Sequence, residues 1–104
     1  MKQTQVLIID DEPNFVSSMI FGLSAHGIPA RGAGSAAEGL REARARATNL
    51  VILDHKLPDG MGINLIPELR AGGADIVMVS AHGDIPTAVE AVRRGALDFL
   101  IKPF

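Results

Sequence analysis

The chain alternates between short, wholly apolar runs and longer amphipathic stretches. Val6-Leu7-Ile8-Ile9 is apolar throughout and ends in the acidic pair Asp10-Asp11. Leu50-Val51-Ile52-Leu53 ends in Asp54, Ile76-Val77-Met78-Val79 in Ser80, and Phe99-Leu100-Ile101 in Lys102. Runs of this length without polar alternation are expected of parallel strands covered on both faces. A weaker strand is expected near residues 28–31. Between the runs, apolar residues recur at helical spacing. Phe15, Met19 and Leu23, with Val16 and Ile20 beside them, form a stripe that Pro13 can open and Gly27 can close. Ser35 followed by Glu38 reads as a capping box for a helix through Leu40 and Ala43. Residues 64–70 and 85–94 supply two more helices, the second stopped by Gly95. Pro67 suits the first of these if it falls in the opening turn, where backbone donors have no intrahelical partner.

Five strands alternating with four helices imply right-handed βαβ units, hence an α/β fold with one open parallel sheet and helices on both faces. In a flavodoxin-like, doubly wound sheet of order 2-1-3-4-5, ligands bind beyond the carboxyl ends of the strands, between the first and third. Those two strands end in Asp10-Asp11 and Asp54.

Composition narrows the chemistry. The 104 residues, 47% hydrophobic and undivided by any low-complexity linker, are expected to make one domain. The absence of cysteine removes disulfides, thiolate metal sites and cysteine nucleophiles. A net charge of −2 with dispersed Lys and Arg gives no basic stripe, so direct nucleic-acid binding is not expected. No apolar run approaches bilayer length and the first residues lack the apolar stretch of a secretion signal, so a cytoplasmic protein with no membrane contact is expected.

Three carboxylates at one sheet edge repel one another, and a divalent cation is the economical remedy. With oxygen ligands, Mg²⁺ fits best. Asp54, at the head of the loop Asp54-His55-Lys56-Leu57-Pro58-Asp59-Gly60, is expected to be exposed there as a nucleophile, since carboxylates accept phosphoryl groups. Lys102 can supply an ammonium and Ser80 a hydroxyl to the phosphoryl oxygens.

These residues carry a resemblance. The acidic pair in VLIIDDE, the block DHKLPDGMG with Pro four and Gly eight residues after its Asp, the pair Ser80-Ala81 and the terminal KPF together resemble the response-regulator receiver family from end to end. The resemblance implies that Asp54 is the phosphoacceptor, Asp11 a direct Mg²⁺ ligand, Asp10 a partner mostly through water, and the Lys56 carbonyl the third protein ligand. It further implies that Ser80 is the switch hydroxyl, Lys102 the family's lysine and Phe99 the aromatic switch, with a cis peptide before Pro103. Lys56 and His82 fall at positions that influence how long the phosphoryl group survives. A sensor histidine kinase or a small phosphodonor would load Asp54. The readout would be a changed surface toward an output domain or partner outside this chain, with a transcriptional output. Such a domain is a phosphoacceptor switch rather than an enzyme, having only formal self-phosphorylation and self-dephosphorylation. In the family a fifth helix follows the position of Phe104. Its absence is expected to uncover apolar sheet surface on the first helix's side and to favour a homodimer or weak stability.

Two rival readings use other residues. Gly32-Ala33-Gly34-Ser35-Ala36-Ala37 fits the dinucleotide fingerprint G-x-G-x-x-G/A, with Asp54 about 20 residues on as a ribose ligand. A haloacid-dehalogenase-like phosphohydrolase would also use a strand-end Asp, Mg²⁺, a hydroxyl and a Lys. It needs a second Asp two residues after the nucleophile, where this chain has Lys56.

Overall fold

The computed structural model describes residues 4–83 and 85–102. The peptide before Pro103, the residues Pro103 and Phe104 of the terminal motif, and Asp84 lie outside the described residues. Among the described residues seven strands are present: β1 (Val6–Ile9), β2 (Ala30–Ala33), β3 (Leu50–Asp54), β4 (Lys56–Leu57), β5 (Gly60–Met61), β6 (Asp75–Ser80) and β7 (Asp98–Ile101). Four helices alternate with the long ones: α1 (Pro13–Ala25), α2 (Ala36–Ala45), α3 (Ile66–Ala71) and α4 (Ile85–Arg93).

The main sheet is parallel, in the order β2-β1-β3-β6-β7. With the small β4-β5 ribbon set aside, this is the expected order 2-1-3-4-5. Side chains alternate between its faces. Leu7, Ile9, Val51, Leu53, Ile76 and Met78 pack with Ile66, Leu69 and Ala91 under α2, α3 and α4. Val6, Ile8, Ile52 and Val79 pack under α1 with Phe15, Val16, Met19, Ile20 and Leu23. Both faces are covered, which is why the central strands carry no polar alternation.

Four local expectations shift. The second strand lies at Ala30–Ala33 rather than near 28–31, because pairing with β1 (Val6 with Ala30 through Ile9 with Ala33) decides the register over weak local propensity. The helix expected over 64–70 begins as a 3-10 turn at Gly62–Leu65 and becomes α-helical at Ile66, with Pro67 in its first turn as required. The last helix ends at Arg93, one residue early. The stretch after Asp54, read as a loop, folds into the antiparallel ribbon β4-β5.

At α2 the Ser35 half of the expected box is present: its Oγ accepts the Glu38 N–H at 3.2 Å. The other two opening donors are met from a distance. Asp59 accepts Ala36 N–H at 2.7 Å and Ala37 N–H at 3.0 Å.

Candidate functional site

Sheet register alone brings the predicted residues together. Ile9 pairs with Leu53, so Asp10 lies abreast of Asp54 at the crevice between β1 and β3. Asp54 pairs with Val79, placing Ser80 one step beyond it, and Ser80 pairs with Ile101, placing Lys102 one step beyond that. Asp11, Glu12, Asp54, His55, Lys56, Ser80, Ala81, His82 and Lys102 line one cleft of about 270 Å³. Asp10, Asp11 and Asp54 each offer a carboxylate oxygen within 4.8 Å of the others.

Lys102 is the hub of the charge network. Its Nζ donates to Asp10 Oδ2 at 2.8 Å and to Glu12 Oε1 at 2.6 Å, lies 4.0 Å from Asp54 Oδ1, and sits 4.4 Å above the Phe15 ring. Burial by itself would lower its pKa, but the hydrogen bonds to Asp10 and Glu12 and the Asp54 and Asp10 charges outweigh that and raise it. The ammonium is therefore a fixed positive charge. Asp10 has both oxygens engaged, since Oδ1 also accepts the Glu12 N–H at 2.9 Å. Asp11 is exposed and aimed into the cleft.

Asp54 is less exposed than its place at a loop entrance suggests, retaining 7% of its accessible surface. Its carboxyl is pushed up to about 6 by burial first, then by the Asp10 charge, with Asp11 adding and Lys102 and the Lys56 N–H opposing. A carboxylate made costly by burial and by its like-charged neighbours is what a bound cation would relieve, so the oxygen-only donor set fits a hard divalent ion.

Ser80 lies at the predicted strand end but its hydroxyl faces its own loop: Oγ donates to the His82 carbonyl at 2.5 Å and accepts the His82 N–H at 3.2 Å. Phe99 is half-buried, packed with the cluster under α2, α3 and α4 beside Gly83. His55 is half-buried and His82 exposed.

Sequence reasoning passed over Glu12 and Phe15 as parts of this arrangement, and for Gly62 it had the spacing but not the reason. Glu12 occupies the cap position of α1 yet gives its carboxylate to Lys102. Gly62 approaches Asp54 so closely that a Cβ there would strike the Asp54 carbonyl. That clash accounts physically for the Gly eight residues after the Asp.

The rivals lose their sites. Gly32 lies inside edge strand β2, where α1 packs against it through Val16, and the first three donors of α2 are occupied by Ser35 and Asp59. No phosphate-binding helix end is left there. Lys56 lines the cleft where the phosphohydrolase reading needs an acid. A larger groove of about 450 Å³ lies between α2 and α3, and its titratable lining residues among those described, Arg44 and Glu68, are paired with each other.

Comparison with known proteins places this geometry in context. The family model described as "Response regulator receiver domain" matches residues 6–104. The acid tolerance regulatory protein ActR of Rhizobium meliloti is 36% identical over 100 residues, covering 94% of this chain and 52% of ActR. The nitrogen assimilation regulatory protein NtrX of Azorhizobium caulinodans is 42% identical over 104 residues, covering 95% of this chain and 23% of NtrX. A response regulator from Burkholderia pseudomallei, crystallised with a phosphorylated aspartic acid, a calcium ion and citrate, superposes with a TM-score of 0.93 at 32% identity, covering 98% of this chain and 61% of that one. This chain thus spans about half or less of the length of these two regulatory relatives.

Proposed function

Because the chain belongs to the response regulator receiver family, we propose that it takes a phosphoryl group from a sensor histidine kinase onto Asp54 and thereby changes the surface it offers to an output module. The observation that carries this reading is the convergence of Asp10, Asp11, Asp54 and Lys102, from three separate strand ends, in one cleft. In the transfer, an Asp54 carboxylate oxygen bonds to phosphorus. The bond from phosphorus to the donor's histidine nitrogen, or to the oxygen of a small acyl phosphate, breaks, and its electron pair leaves with the donor. Nothing is released from the receiver, so the event is a switch rather than turnover.

Asp11, Asp54 and the Lys56 carbonyl would hold Mg²⁺, with Asp10 acting through water because both its oxygens already accept protein donors. When bound, the ion offsets the negative charge that gathers on the transferring group. Lys102 reaches the incoming oxygens from its present place 4.0 Å from Asp54. Ser80 joins it by turning its hydroxyl away from the His82 carbonyl, which releases the loop held by that bond. Phe99, beside Gly83 in the same region, is the side chain placed to follow. Lys56 and His82 flank the cleft and set how long the phosphoryl group lasts. A transcriptional output is proposed from the regulatory relatives, residues 1–104 are proposed to act as one receiver unit, and the site of action is proposed to be the cytoplasm.

Incubation with acetyl phosphate and Mg²⁺, read by intact mass, tests the assignment. The wild type is expected to gain one labile phosphoryl group, and Asp54→Asn none. In the Lys56→Ala/His82→Ala double variant the group is expected to decay at a changed rate. A wild type that stays unmodified would overturn the central assignment, and an unchanged decay rate would remove the roles of Lys56 and His82.

A further inference from the structure

The ribbon that follows Asp54 has two anchors. Strand β4 returns through Pro58-Asp59 into β5, with Leu57 paired to Gly60 across the turn. Leu57 is buried in the core, whereas Lys56, Pro58, Asp59, Gly60 and Met61 are exposed. The second anchor is Asp59 itself, whose carboxylate accepts two N–H groups of the first turn of α2, 22 and 23 residues away in sequence. Those two donors hold its carboxyl below the usual carboxylate range, so it stays ionised. The base of the ribbon is closed by Gly62 N–H donating to the His55 carbonyl at 2.7 Å. Just inside that closure, the Lys56 backbone N–H lies by the Asp54 carboxylate and favours its ionised form.

We propose that Asp59 is a positioning residue for the phosphoacceptor site: by fastening the ribbon tip to α2 it fixes the Lys56 backbone beside Asp54. The inference rests on the Mg²⁺-dependent reading given above. Leu57 and the base of the ribbon, where the His55 N–H donates to the Val79 carbonyl at 2.9 Å, hold its near end, whereas its exposed tip is tied down through Asp59. Asp59 does so without touching the metal, the phosphoryl group or Asp54. The clasp also serves α2, so a purely structural role must be separated from a positioning one.

Ser35 provides the separation, because its hydroxyl caps the same helix end without contacting the ribbon. Mg²⁺ affinity of the 104-residue chain is measured by isothermal titration for wild type, Asp59→Ala, Asp59→Asn and Ser35→Ala, alongside hydrogen exchange of the residue 56–61 amides in metal-free protein. Asp59→Ala is expected to weaken Mg²⁺ about tenfold, as removal of outer supports of a metal site does, and to speed exchange in the ribbon. Asp59→Asn keeps one acceptor oxygen and should lose about threefold or less. Ser35→Ala destabilises the helix end but should leave Mg²⁺ affinity within about twofold of wild type. The proposal is overturned if Asp59→Ala binds Mg²⁺ like wild type, or if Ser35→Ala weakens it equally. A wild type that gives no Mg²⁺ heat would overturn the underlying reading as well, an outcome distinct from the other two.

Discussion

Ionised Asp54 faces two other carboxylates after losing most of its water, and among the described residues Lys102 and the Lys56 backbone oppose that cost. Its pKa in the folded protein, about 6, stands above the ordinary 3.8. A carboxyl raised in this way contributes stability that is fully present below its unfolded-state pKa and is lost as pH rises through the folded value. Without metal, Asp54→Asn should therefore match wild type near pH 4 and exceed it at pH 7.5. The expected gain is on the order of 1 to 2 kcal/mol once solvent screening is allowed for. Thermal unfolding followed by circular dichroism in the presence of a chelator measures it, and a variant no more stable than wild type at pH 7.5 would refute the repulsion. The strand-end residues were legible in the sequence because each follows an apolar run that fits only a buried parallel strand. Glu12 and Phe15 were not. An acid after Asp10-Asp11 reads equally well as a helix-start charge, and Phe15 lies on a stripe that only the three-dimensional structure places under Lys102.

At the scale of elements, helices and central strands followed from periodicity, whereas contacts between elements did not. Strand β2 has a proline before it and a glycine within it, so its position is set by the β1 ladder rather than by its own residues. The Asp59 clasp has no local signal, since Pro-Asp-Gly announces only a turn. Gly62 is the reverse case, with a family spacing visible at once and a reason visible only in the packing. A Cβ at that position meets backbone, which cannot rotate aside as a side chain can. Gly62→Ala is predicted to cost about 2 to 4 kcal/mol in urea unfolding and to impair phosphorylation in the fraction that folds. A loss under about 0.5 kcal/mol would show that the ribbon relaxes freely.

For the whole molecule, the two faces of the sheet differ. The side under α2, α3 and α4 holds the larger buried cluster, while on the side under α1 Leu50 and Leu100 are only half-buried. Exposed Ile85, Val89 and Val92 add an apolar line along α4. No helix among the described residues is long and apolar enough to cross a membrane. A metal held by groups on different strands binds only the folded chain, so Mg²⁺ should stabilise it by mass action. The gain is about 2.7 kcal/mol at a hundredfold excess over Kd, read as a rise in Tm relative to chelator, and Asp54→Asn should blunt that rise. Equal Tm values with and without Mg²⁺ would contradict the ligand set.

The bond from Lys102 to Asp10 spans 92 positions of the chain. Contacts so far apart in sequence form late, after the loop-closure entropy between them has been overcome. During synthesis Asp10, Asp11 and Asp54 emerge before Lys102 and stay without its ammonium until β7 has left the ribosome. On the proposed assignment, the nascent chain has no complete phosphoacceptor site until β7 joins the sheet.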